Sequence, residues 1–265
     1  MTLAHRESGP ADGPTALLLH GYPESSYMWR ELMPALAQAG WRAIAPDLAG
    51  FGDSPPDPPG SWERHVDSIA SFHEAHGLGP VALLVHDWGG LIGLAWACDH
   101  PAAVRALVIS DTGFFADGRW HGMGRLMRTQ GEGEKLMDNM SRETLGAMLS
   151  QVSSGIDDTA LDEYWRGYEG QERRRTHLDF YRSMDFEKLA RYEGRLAELG
   201  VPALLLWGEH DAFAPVAGAQ RFERELPDTE LVVVAGAGHF VYEDAPAETA
   251  DAVTGFLERR ARAPR

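Results

Sequence analysis

The sequence predicts an α/β domain, a mostly parallel sheet with helices on both faces, interrupted by a helical insertion. Three observations predict it. Short apolar runs such as Val81 to Val85 lack the alternation of a half-exposed strand and suit strands buried on both faces. Strand and helix patterns alternate along the first 110 residues, and right-handed crossovers then build a parallel sheet. From Phe114 to Arg191 the strand runs stop, and Arg, Glu, Asp, Met and Tyr recur at helical spacing. The division expected is a core over 1–112, a helical lid over 113–191, and the rest of the core over 192–265.

In order, Thr2 to Glu7 is a short edge strand, followed by a turn between Gly9-Pro10 and Gly13-Pro14. Thr15 to Leu19 is a buried strand ending in His20-Gly21-Tyr22-Pro23. A helix starts near Ser25 or Ser26, with Trp29, Leu32, Met33, Leu36 and Ala37 on one face, and Gly40 ends it. Trp41 to Pro46 is a third strand. The glycine loop after it, Asp47 to Ser54, lacks the Gly-Lys-Ser/Thr step of a phosphate loop. Trp62 to His76 is a helix with Trp62, Val66, Ile69 and Phe72 inward. The Val81 strand, a helix from Leu91 to Cys98 and a strand from Arg105 to Ser110 follow. Lid helices are expected near Trp120–Gln130, Glu134–Asn139, Arg142–Gln151, Thr159–Tyr168 and Gln171–Phe186. The sheet resumes at Val201 to Trp207. A helix after Pro215, a strand from Glu230 to Ala235 and a helix from Pro246 to Arg260 complete the chain.

Forty acidic residues against 24 basic ones give a net charge of -16. That balance argues against nucleic acid and anionic membrane as partners, which need positive surface. The lone Cys98 permits no internal disulfide. The polar start, Met1 to Pro14, lacks the apolar core of a secretory signal, and no run is long enough to span a bilayer, so a cytoplasmic location is expected. No metal-ligand spacing and no dinucleotide fingerprint occur, so no metal and no cofactor are expected.

The chain is organised around Val85-His86-Asp87-Trp88-Gly89-Gly90, where a buried strand turns directly into a helix. Such a turn lifts its central side chain above the sheet, over a helix N-terminus that favours negative charge. A lone aspartate there would otherwise read as an N-cap. Asp87, Asp211 and His239 each stand just past a strand end, where an open parallel sheet forms its ligand crevice.

These residues resemble the α/β-hydrolase fold in the branch whose nucleophile is aspartate, the epoxide hydrolases and haloalkane dehalogenases. The resemblance covers nearly the whole chain and implies an α/β-hydrolase fold with a helical lid. Asp87 would be the nucleophile, forming an alkyl ester, and His239, held by Asp211, would activate water to cleave it. The backbone N–H groups of Tyr22 and Trp88 would form the oxyanion hole. The family loop often carries a cis bond before its proline, here Pro23.

The leaving group separates the two activities. The loop His20-Gly21-Tyr22-Pro23-Glu24-Ser25 resembles that of epoxide hydrolases, with an aromatic where dehalogenases commonly place a halide-binding Asn. Asp179-Phe180-Tyr181-Arg182 resembles the step that carries a ring-opening tyrosine, which makes Tyr181 the first acid candidate and Tyr164 the second. Dehalogenases instead use the tryptophan after the nucleophile, here Trp88, with a second donor that Trp120 or Trp165 could supply. Asp111 is a backup acid or a loop cap. Trp88 stands where a fluoroacetate dehalogenase would carry Arg. The expected function is epoxide hydrolysis of a small to medium apolar substrate with water. Haloalkane dehalogenation is the alternative, and a non-catalytic ligand-binding protein is the reading from another class.

Overall fold

The computed structural model describes residues 2–261. Its core is a seven-stranded sheet: β1 (His5–Ser8), β2 (Thr15–Leu19), β3 (Arg42–Pro46), β4 (Val81–His86), β5 (Val104–Ser110), β6 (Ala203–Gly208) and β7 (Thr229–Val234). The spatial order is β1-β3-β2-β4-β5-β6-β7. Only β1 is antiparallel, pairing His5 with Pro46 at the edge. β4 lies at the centre between β2 and β5, and all six of its residues are buried. Burying each aliphatic side chain there contributes roughly 1.5–3 kcal/mol, which is why this run tolerates no polar alternation.

Helices α1 (Leu32–Gln38), α2 (Trp62–Ala75) and α3 (Trp88–Asp99) connect the first strands. α3 is apolar throughout and buried from Trp88 to Cys98, as a helix against the central strand must be. The continuous helix expected from Ser26 does not form. A 3₁₀ turn over Ser26–Trp29 precedes α1 instead. Pro34 explains the break, since it cannot donate to the Arg30 carbonyl and its ring crowds that group. The inward face of α2 is Trp62, His65, Ile69 and Phe72, whereas Val66 is only half-buried.

Between β5 and β6 lie α4 (Gly122–Arg128), α5 (Glu132–Asp138), α6 (Arg142–Leu149), α7 (Asp158–Trp165) and α8 (Gln171–Ser183). Serine and aspartate caps start α6 and α7: Ser141 accepts from the Thr144 amide and Asp157 from the Ala160 amide. The short α9 (Arg195–Glu198), then α10 (Ala217–Glu225), α11 (Val241–Asp244) and α12 (Pro246–Arg260) complete the chain.

The glycine loop after β3 is closed by its own carboxylate. Asp47 accepts the Ser26 amide at 2.7 Å and the Asp53 amide at 2.9 Å. His20 joins this loop to the one after β2. It donates from Nδ1 to the Gly21 carbonyl at 2.8 Å and accepts the Leu48 amide at Nε2, 2.9 Å away.

Candidate active site

Asp87 occupies the turn between β4 and α3 with φ +46° and ψ -117°. A non-glycine residue in such a region costs roughly 1–3 kcal/mol, so its neighbours must fix it. Its carbonyl accepts from the Thr112 hydroxyl at 2.6 Å and the Gly90 amide at 2.9 Å, and its amide donates to Ser110 O at 3.3 Å. Two glycines permit the close packing. A Cβ on Gly89 would lie 2.2 Å from Leu19 O, and one on Gly21 would lie 2.6 Å from Asp87 Cβ. The carboxylate therefore stands above the sheet at the N-terminus of α3, its side chain 22% exposed.

The three groups past the strand ends meet. Asp87 Oδ1 accepts the Tyr22 amide at 2.8 Å, and Oδ2 lies 3.5 Å from His239 Nε2. His239 Nδ1 is 2.9 Å from Asp211 Oδ2. Asp211 is oriented in turn by the Phe213 and Ala214 amides, which donate to Oδ1 at 2.7 and 2.9 Å. The Trp88 amide is among the unpaired donors that open a helix. The Tyr22–Pro23 bond is cis.

Charge in this cluster is strongly coupled. Burial pushes His239 down, but the Asp211 charge, the Asp211 hydrogen bond and Asp87 together hold it well above the usual imidazole range. Burial pushes Asp87 up, yet its hydrogen bond to His239 and the His239 charge leave it below the usual carboxylate range. Asp211 is likewise lowered: burial opposes, and His239 outweighs it. These directions favour an imidazolium between two carboxylates in the resting site. A raised imidazole stabilises the fold fully below its unfolded pKa of about 6.5, and this stability is lost as pH rises through the folded value. The lowered carboxylates act oppositely, losing their contribution only as pH falls through their folded values. Thermal melts should therefore show the wild type losing stability from neutral to alkaline pH. His239→Gln should be nearly flat over that window, and an equal slope in both would refute the charged pair.

Asp111 is also strained, with φ +46°, and fully buried. Its Oδ1 accepts the Gly208 amide at 2.9 Å and its Oδ2 lies 4.0 Å from His86 Nδ1. Burial and the nearby Asp211 charge raise its pKa well above the carboxylate range. That geometry is a loop cap between β5 and β6, and the His239 imidazole is held by Asp211 instead. His86 points away from the cavity, its Nε2 3.3 Å from the buried Glu24.

A cavity of about 430 Å³ opens over Asp87 and His239, lined by Tyr22, Tyr168, Tyr181 and Met residues of the inserted helices. A second chamber of about 250 Å³ shares Asp87 and is walled by Trp88, Trp120 and Phe186. Tyr181 is in place: its ring meets Trp88 and Tyr22 edge-on, each at 5.0 Å. Tyr164 is not. It is absent from the cavity wall and hydrogen-bonds Glu243, which Arg30 clamps through both carboxylate oxygens at 2.8 and 2.7 Å. The ring-opening role expected for Tyr164 is corrected to a buried tie between α7 and α11. Tyr164→Phe should keep turnover within about twofold and cost about 1.5–3 kcal/mol of stability, the worth of a hydrogen bond to a charged group. Parallel activity assays and urea melts check this, and a large activity loss without destabilisation would contradict it.

The tyrosine that sequence reasoning missed is Tyr168. α7 ends at Trp165 and the chain tightens into a 3₁₀ turn over Arg166–Tyr168, which swings Tyr168 to the cavity. Its hydroxyl lies 2.7 Å from the Tyr22 hydroxyl, which lies 3.1 Å from His177 Nδ1. His177 Nε2 sits 2.8 Å from the Gly167 carbonyl. A carbonyl only accepts, so Nε2 carries the proton and Nδ1 must accept. Protons therefore run one way, from Tyr168 to Tyr22 to His177. Among the described cavity tyrosines, only Tyr181 keeps an uncommitted hydroxyl proton. Of the two tryptophan candidates, Trp120 stacks on Trp88 at 5.5 Å and its buried Nε1 has no partner among the described residues. Trp165 stacks on Tyr168 at 5.6 Å and lines neither chamber.

The alpha/beta hydrolase fold family matches residues 14–246. A cis-3-alkyl-4-alkyloxetan-2-one decarboxylase of Xanthomonas campestris pv. campestris is 30% identical, over 98% of this chain and 93% of its own. A haloalkane dehalogenase of Sphingobium indicum is 34% identical, over 97% and 92%. A crystal structure of DBJA superposes with a TM-score of 0.87 at 28% identity, covering 97% of this chain and 94% of that one. With the family model matching most of the chain, a 34% identical relative aligned over 97% of it and a close structural superposition, the chain belongs to the α/β-hydrolase fold family, in its dehalogenase-like branch.

Proposed function

We propose that this hydrolase opens small to medium apolar epoxides to diols through an alkyl ester on Asp87. The observation that carries the reading is Tyr181, a buried phenol over the Asp87 cavity whose proton no neighbour among the described residues accepts. Asp87 Oδ2 bonds to a ring carbon as the C–O bond breaks, and the released oxygen takes the Tyr181 proton. Alkylation neutralises Asp87. His239 then keeps one carboxylate partner instead of two, its pKa falls, and its Nε2 proton passes through solvent to the Tyr181 phenolate, which restores the phenol and leaves the ring a base. Water gives a proton to Nε2 and hydroxide attacks the ester carbonyl. The oxyanion forms on Oδ1, where the Tyr22 amide already donates. The ester C–O bond at Cγ breaks, the departing alkoxide takes the proton of the new Asp87 carboxyl, the diol leaves, and His239 is again the imidazolium between two carboxylates.

The chemistry is attack at saturated carbon of a strained oxygen ring, and one relative is named for a four-membered oxygen ring, an oxetan-2-one. Substrate and water are the partners this reading requires. The net charge of -16 disfavours nucleic acid and anionic membrane. No helix among the described residues is long and apolar enough to cross a membrane.

Haloalkane dehalogenation is the second reading, favoured by the unpartnered Trp120 Nε1 beside Trp88 and by the relatives named as dehalogenases. Styrene oxide and 1-bromobutane separate the two. The expected result is diol from styrene oxide, with Tyr181→Phe about 100-fold or more slower and Trp120→Phe little changed. Bromide release without diol, abolished by Trp120→Phe and indifferent to Tyr181→Phe, would move the protein to the second reading.

A further inference from the structure

We propose that His121 is a second hydrogen-bond donor to the oxygen released from the carbon that Asp87 attacks, acting with Tyr181. The inference rests on the Asp87-ester reading. It also supplies what Tyr164 cannot, since Tyr164, Tyr168 and Tyr22 all have their hydroxyl protons engaged.

His121 precedes α4 and lines both chambers that share Asp87. Its Nδ1 accepts the Gly124 amide at 3.3 Å, capping the helix. A ring nitrogen that accepts carries no proton, so the neutral ring holds its proton on Nε2. No described residue accepts from Nε2, which leaves that donor to the cavity. The Phe213 ring packs against both imidazoles, its centroid 4.9 Å from that of His121 and 5.0 Å from that of His239. His121 thus stands on the same wall as the base, one ring away. Asp87, Asp211, His239 and Arg125 act on it electrostatically, and burial keeps it below the usual imidazole range, hence neutral near pH 7. Neutral His121 donates a hydrogen bond and keeps its proton. Tyr181 alone transfers one, so the balance of the ring-opening step is unchanged.

The capping role and the donor role can be separated. Serine and asparagine are good caps, so His121→Ser and His121→Asn preserve the bond to the Gly124 amide while removing the imidazole donor. The measurement is the rate of Asp87 alkylation by styrene oxide in a His239→Gln background, followed by intact mass. We expect H121S to lower the saturating rate about 10- to 100-fold, with the half-saturating concentration and melting temperature little changed. Equal alkylation rates in the folded variants would overturn the role of His121 and leave the Asp87 ester standing. No alkylation of His239→Gln itself would overturn the ester reading and this inference with it. Nitrogen-15 NMR of the wild-type imidazoles tests the premise without substitution: Nε2–H on His121 is expected, and Nδ1–H would refute it.

Discussion

His239→Gln should convert turnover into a single covalent event. Attack by Asp87 needs an ionised carboxylate, an open cavity and the acid, and it needs no base. Cleavage of the ester needs a base within reach of water, and Gln has none. Incubation with styrene oxide should therefore raise the intact mass by one substrate, with the label mapped to Asp87, while diol formation falls about 10³-fold or more. Loss of the His239 charge removes the main influence that lowers the Asp87 pKa, so alkylation should be tested above pH 6, where the carboxylate stays ionised. Asp87→Ala in the same background is the control and should take up no label. Label retained in that variant would locate the chemistry elsewhere.

The elbow was legible in the sequence because one physical demand writes it twice. A strand buried on both faces must be an unbroken apolar run, and the helix packed on it must begin with small residues. Val81 to Val85 and Gly89-Gly90 satisfy both, and the structure places the strained Asp87 between them. Asp211 and His239 were legible as strand-end residues, and sheet topology alone brings strand ends together. The inserted helices were legible as helices but not as a cavity wall. Tyr164 and Tyr168 are one turn apart, and periodicity does not reveal that α7 tightens into a 3₁₀ turn between them. His65 is buried on α2 where Val66 was expected, because packing against Phe180, with ring centroids 4.4 Å apart, overrides local hydrophobicity. His121 shows nothing in the sequence. Its importance depends on which nitrogen caps α4, and that is a property of the fold.

Asp211→Asn should spare alkylation and nearly abolish hydrolysis. Asp211 does two things: it accepts from His239 Nδ1, 2.9 Å away, and its charge is the largest influence that raises the imidazole pKa. Asparagine keeps the size but can present its N–H₂ to Nδ1. The favoured tautomer then carries its proton on Nε2, where it faces Asp87 and cannot take one from water. The comparable change in a Ser-His-Asp triad costs about 10⁴-fold, and a loss of that order in ester cleavage is expected here. The ester should accumulate during turnover, visible by mass as in His239→Gln. Asp111 is the group that could blunt this loss. It is buried close to Asp211, and removing that charge lowers the cost of ionising it. Yet its Oδ1 is held by the Gly208 amide and its Oδ2 lies beside His86, so it has no oxygen directed at His239 Nδ1. The double variant Asp211→Asn/Asp111→Asn should therefore hydrolyse its ester as slowly as Asp211→Asn alone. If Asp211→Asn keeps a tenth or more of the wild-type rate and the second substitution removes it, Asp111 serves as the acid after all. The loop-cap role drawn from its hydrogen bonds would then be incomplete.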